Sequence, residues 1–306
     1  MTLQSSSQKD RPSISNWERV SFEVTRFVVG ILARILSLTG LYHFGRAFAT
    51  LEWLIQYKRR RRFAARMQEL FGTEMSPVAV RRACWRHFVR VRNDKLYYLI
   101  FDLLPPEKVL RRFTITNKHL LDDALARGKG AHLAMSHLGS HHVGFFCLRA
   151  SGYTVAIVRD PKEGAMRRYM RCKHETTWGD QMRYFRNDVF PRTMYRWYEN
   201  NGLLMTALDV AGRGVEHVKT VEATLFGKRR PILPGPIQLA SRCGAPTLQG
   251  FVVTRKNFHY EFELHGPLVD PAEDQSTDER LAAAVQAYAD GIERFARAYP
   301  CHVSRI

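Results

Sequence analysis

Acidic residues are in short supply: 29 Asp and Glu face 47 Lys and Arg over 306 residues, a formal charge of +18. That excess excludes an anion-repelling surface and draws nucleic acid, anionic lipid headgroups or an acidic carrier protein, without choosing among them. Cysteine is scarce too. Cys84, Cys147, Cys172, Cys243 and Cys301 are five, an odd number with no Cys-x-x-Cys pair, which argues against a disulfide framework or zinc ribbon and for thiols in a reducing compartment. Long hydrophobic runs are also missing. The first apolar stretch, Phe27 to Ala33, is broken by Arg34 before Ile35 to Leu41 resumes. A bilayer span needs about 20 mostly apolar residues, and an arginine near its middle is costly. A helix lying in the membrane interface is therefore expected in preference to a span. Met1 to Ser15 is polar, with no apolar stretch and cleavage site, so a flexible tail and no secretory signal are expected there. Internal repeats and low-complexity tracts are absent.

What is present reads as two regions. Residues 16–125 carry apolar positions at mixed three and four spacings, such as Phe27, Ile31, Ile35 and Leu38, and are expected to be helical, basic and membrane-associating. Lys58 to Arg62 is a run of five cations, extended by Arg66, Arg81, Arg82, Arg86, Arg90 and Arg92. Such a run is either a solvated helix face or a dock for an anionic surface, where each basic residue contributes about 1 kcal/mol. From residue 126 onward short apolar strands alternate with helices, which predicts an α/β core with a mixed sheet sandwiched by helices. Ala131 to Ser136, Thr154 to Val158, Leu203 to Leu208 and Pro246 to Val253 read as buried strands, and Phe258 to Leu264 as an edge strand. Helices are expected after His142, after the Asp160-Pro161 turn and from Pro236. The last helix has a capping-box pattern at Ser276 to Glu279, a face of Leu281, Val285, Tyr288, Ile292 and Phe295, and a stop at Pro300.

His137 leaves the first of these strands, and Gly139 lets the chain turn into the next helix. Ligands of open α/β sheets sit at such carboxyl ends. An isolated histidine there is weak evidence. Weight comes from ordered matches: Ala126-x-Gly128-x-Gly130 before the strand, the hexad His137 to His142, Val158-Arg159-Asp160-Pro161, Gly202 to Asp209 with Gly212 and Gly214, and Leu225-Phe226-Gly227-Lys228 leading to Gly244-Ala245-Pro246.

Together these resemble the bacterial lipid A late acyltransferases, a branch of the lysophospholipid acyltransferase superfamily, over roughly Gly45 to Pro300. The resemblance implies transfer of a fatty acyl chain from acyl carrier protein, or coenzyme A, to a hydroxyl of a glycolipid at the cytoplasmic face of the inner membrane. It implies membrane lipids, acyl carrier protein and a glycolipid acceptor as partners, and no nucleic acid. No cofactor is implied beyond the thioester co-substrate. His137 would be the general base, Gly139 and Ser140 donors to the oxyanion through backbone N–H groups, Arg159 a partner for the acceptor's phosphate, and Asp209 the family's aspartate. Arg167, Arg168 and Arg171 are either additions to the phosphate site or a solvated face.

The sequence departs from the family twice. Where the hexad ends in Asp or Glu, this chain has His142. A carboxylate there fixes the base's tautomer and stabilises the imidazolium; a second imidazole does only the first. Three accounts follow: His142 orients His137; a carboxylate from elsewhere, with Asp160, Asp209 and Glu216 the candidates, replaces the missing one; or the chain binds lipid without transfer chemistry. A zinc site on His137, His141 and His142 is set aside, because three histidines within six residues without a carboxylate do not match usual ligand spacings. The second departure is the ending Tyr299 to Ile306, which lacks the family's tryptophan- and arginine-rich continuation and predicts a less supported substrate groove.

Overall fold

The computed structural model describes residues 14–159, 164–186, 191–209, 219–272 and 277–304. Asp160, Pro161, Gly212, Gly214, Glu216 and Ser276 lie outside the described residues, as do the first 13 residues of the predicted tail and the side chain of Arg159.

Ser15 opens the first helix through a reciprocal cap: its hydroxyl accepts from the Glu18 N–H (3.3 Å) while the Glu18 carboxylate accepts from the Ser15 N–H (3.1 Å). Helix α1 (Asn16–Ile35) meets α2 (Ser37–Ile55) at a 119° bend. No single described helix is long and apolar enough to cross a membrane, although this bent pair passes that test together. The inner face of α1 is tied down by Arg26, buried and bidentate on Asp102 at 3.2 and 3.0 Å. Its outer face is apolar and exposed at Trp17, Val20, Val24, Phe27, Ile31 and Ile35, and α2 continues the pattern with Phe44, Phe48, Leu51 and Ile55. These recur at three and four spacings, so each helix presents one stripe.

Helices α3 (Tyr57–Phe71), α4 (Pro77–Ile100) and α5 (Pro106–Leu110) follow. The cation run divides between two roles. Lys58, Arg61 and Arg62 are exposed, whereas Arg59 covers the Phe88 ring (4.4 Å to its centroid) and Arg60 the Trp53 ring (5.1 Å).

The α/β part comprises β1 (Phe113–Thr116), α6 (Lys118–Ala126), β2 (Ala131–Met135), α7 (His141–Ala150), β3 (Val155–Arg159), α8 (Ala165–Trp178), β4 (Met182–Arg186), α9 (Pro191–Glu199), β5 (Leu203–Ala207), β6 (Val221–Leu225), β7 (Lys228–Ile232), α10 (Gly235–Arg242), β8 (Thr247–Thr254), β9 (Tyr260–Val269) and α11 (Asp278–Ala298). Seven strands form one mixed sheet in the order β1-β9-β8-β2-β5-β3-β4, flanked by helices, with β8–β9 the antiparallel pair and the other neighbours parallel. The four expected buried strands are present. The expected edge strand is not at an edge: β1 pairs with β9 and takes that place, so a strand lies inside the stretch read as wholly helical. Four residues with alternate positions only partly buried are too short a pattern to stand out next to helices.

Two motifs of the family resemblance are architectural. Phe226 (φ 50°) and Gly227 (φ 69°) are the two-residue turn of the β6–β7 hairpin, a left-handed pair that matches strand twist. Gly244 (φ 73°) stops the chain after α10 and aims it into β8. Helix α11 buries Leu281, Val285, Tyr288, Ile292 and Phe295 as expected. Its cap differs from the expected box: Thr277, one residue later than Ser276, accepts from the Arg280 N–H at 3.2 Å.

Candidate active site

Strands β2 and β5 are parallel neighbours with Ala131 opposite Leu203 and Met135 opposite Ala207. Continued two residues past the last rung, that register sets His137 beside Asp209. The contact is double. Asp209 Oδ2 accepts from the His137 backbone N–H at 2.9 Å, and Asp209 Oδ1 lies 2.8 Å from His137 Nδ1. A carboxylate only accepts, so Nδ1 carries a proton, and in the neutral ring Nε2 then presents its lone pair. The His137 side chain is 31% exposed and that of Asp209 10%, which leaves the imidazole reachable and its partner sheltered. Tyr288 of α11, fully buried, donates its hydroxyl to the Met135 carbonyl (2.7 Å) and braces the strand end from below.

A carboxylate thus faces His137 from the neighbouring strand. His142 makes no hydrogen bond to His137; its ring stands edge-on to Tyr98 at 5.3 Å and to His141 at 5.4 Å. Burial, reinforced by Arg167 and Arg90, lowers the His142 ring to about 3, so it is neutral at physiological pH. Burial also holds His141 well down, with His142, His137 and the same arginines adding to it. The ring of His141 is 5.5 Å from that of His137.

Gly139 and Ser140 do not serve as expected. At φ 64° Gly139 passes so close to β8 that a Cβ would sit 2.3 Å from the Val252 carbonyl oxygen. Its N–H donates to the His302 carbonyl (3.0 Å), and the Ser140 N–H to that of Val252 (3.1 Å). Both amides are committed to backbone carbonyls, against the expectation that they are free to face an oxyanion. The Ser140 side chain is buried and donates to Asp94, whose carboxylate also accepts from Thr254 (3.0 Å) and Tyr260 (3.2 Å). Arg90 completes this network from α4, with Nη1 3.0 Å from Asp94 and 3.2 Å from the Gly139 carbonyl. Burial pushes the Asp94 carboxyl up, against the pull of Arg90 and three hydroxyls. Sequence reading missed this support; its only trace was an Arg-Asp pair four residues apart among large apolar residues.

Arg159 ends β3, one strand beyond β5. Arg167 is exposed and Arg168 half-buried, whereas Arg171 is buried, 3.5 Å from Glu175 and 6.0 Å from the centre of the Tyr184 ring. Among the described residues no group of three or more His, Cys, Asp or Glu is arranged to hold a metal ion.

An accessible imidazole backed by a sheltered carboxylate, at the carboxyl ends of adjacent parallel strands, has the form of a general-base site for group transfer. The chain belongs to the bacterial lipid A biosynthesis acyltransferases, whose family model matches residues 17–301. Comparison with curated protein sequences returns no match.

Proposed function

We propose that the protein moves a fatty acyl chain from the thioester of acyl carrier protein or coenzyme A to a hydroxyl of lipid A, a related glycolipid or a lipid-linked saccharide. His137 is the general base and Asp209 its partner. The observation that carries this reading is the double contact between them, which restores the carboxylate absent from position 142.

His137 Nε2 takes the proton of the acceptor hydroxyl as its oxygen attacks the thioester carbonyl. Asp209 stabilises the imidazolium so formed. The tetrahedral oxyanion collapses, the carbon–sulfur bond breaks, and the leaving thiolate takes the proton back from the imidazolium. The ester product and free thiol account for every atom. With Gly139 and Ser140 committed, the first-turn N–H groups of α7, those of His141 and His142, are the donors for the oxyanion, since an α-helix leaves its first amides without intrahelical acceptors.

The reaction runs at the cytoplasmic face of the inner membrane. The exposed apolar stripes of α1 and α2 support interfacial docking, with Lys58, Arg61 and Arg62 following directly for the anionic headgroups. The test is direct: full-length protein with lauroyl thioester of either carrier and lipid A should release free thiol and acylated product, and His137→Ala should abolish both. Full activity of His137→Ala would remove the proposed base.

A further inference from the structure

Asp209 holds His137 by its N–H and ring. The third attachment of the same residue, its carbonyl, is held from the other end of the chain: Ser304 Oγ donates to His137 O. The neighbours of Ser304 repeat the contact along the hexad. The His302 carbonyl accepts the Gly139 N–H at 3.0 Å. Cys301 O accepts from Arg90 Nε at 3.2 Å, and Arg90 also holds the Gly139 carbonyl. The segment is itself anchored: Thr254 N–H donates to His302 Nε2 (3.0 Å), Arg66 donates to Ser304 O, and Val303 is fully buried.

We infer that residues 301–304 form a strap that positions the base, with Ser304 the positioning residue that acts through His137. The inference rests on the general-base reading above. Its physical content is simple. A histidine two residues past a strand has no ladder to fix its backbone, so the ring's aim depends on what holds its main chain. With N–H and Nδ1 on one carboxylate and C=O on the Ser304 hydroxyl, rotation of the 137 peptide is blocked at both sides. Without Ser304 the ring keeps its partner only part of the time, and a misplacement of about 1 Å at such a base costs roughly 100-fold in rate. No contact between Ser304 and substrate is involved. The strap also recasts the ending of the chain, which sequence reading took as poorer support for a groove: residues 301–304 are the backing of the hexad.

The experiment compares full-length wild-type protein with Ser304→Ala and Ser304→Thr in detergent micelles, using lauroyl carrier thioester and lipid A, alongside the His137 Nδ1–H proton resonance in histidine-labelled protein. Asp209→Asn identifies that resonance. Ser304→Ala should lower kcat roughly 10- to 100-fold with KM little changed, weaken or shift the Nδ1–H signal and leave Tm in place, and Ser304→Thr should restore both. An unchanged resonance and kcat in Ser304→Ala would overturn the strap. So would a loss of kcat that follows a lowered Tm and is not restored by threonine. A resonance that depends on Ser304 in a wild-type protein that transfers nothing from either donor would keep the strap and refute the acyltransferase reading.

Discussion

At the scale of residues, the site turns on which carboxylate stands behind His137. Asp209 lies two rungs past β5 as His137 lies two past β2, so both contacts follow from one register. Asp209→Asn keeps the shape but can stabilise no imidazolium, and its amide nitrogen opposes the Nδ1–H tautomer. We expect kcat to fall about 10²–10⁴-fold with Tm little changed, measured by thiol release and thermal melting. His142→Glu is the converse case. If position 142 were a decayed partner, an acid there would raise transfer; because the His142 ring packs on Tyr98 and His141 instead, we expect no gain in kcat and a lower Tm from a poorly paired buried carboxylate. The sequence named Asp209 among three candidates and left His142 open. Only the pairing of β2 with β5 could choose.

At the scale of elements, two helices and a hairpin bear separate loads. On α1, Phe27 is 68% exposed in the middle of the apolar stripe, while Arg26 beside it is buried on Asp102. Phe27→Glu therefore leaves the packed face alone and should weaken co-sedimentation with anionic liposomes. The β6–β7 hairpin docks on α11, where the Phe226 N–H donates to Glu293 (2.9 Å) and the Thr224 N–H to Gln286 (2.9 Å), and its Phe226 ring meets Phe71 of α3 edge-on at 5.4 Å. Gly227→Val forces a β-branched residue into left-handed backbone. A loss of about 1–2 kcal/mol is expected by denaturant titration. The Phe226-Gly227 part of the resemblance is thus a turn that joins α3, α11 and the hairpin. Amphipathic α11 was legible because its period persists over 21 residues. Strand β1 was not, because four residues, three half-buried and one exposed, carry little pattern.

At the scale of the whole molecule, buried histidines set the acid limit. Burial holds His87, His132, His142 and His174 down at about 3 from an ordinary 6.5. The folded chain thus binds fewer protons than the unfolded chain between those values. Stability is full above about pH 6.5 and falls as pH drops toward 3. For His132, fully buried between Thr206 (2.8 Å) and Thr247 (3.2 Å), the loss by pH 5 is about 2 kcal/mol. Tm measured from pH 7.5 to 5 should fall steeply, and a Tm flat across that range would refute the assignment of these rings as neutral.

Local chemistry was determined by the sequence alone: the alternation of apolar strands and helices, the basic charge, the apolar stripe of α1, and a histidine and an aspartate each just beyond a strand. These depend on spacing within one element, which the chain carries openly. What only the tertiary structure decided is what lies across from what. The β2–β5 register set Asp209 rather than His142 behind His137, close packing on Val252 consumed the amides of Gly139 and Ser140, and residues 301–304 came to rest against residues 137–140. Those pairings join segments 72 to 167 residues apart, and no local period encodes a contact at that distance.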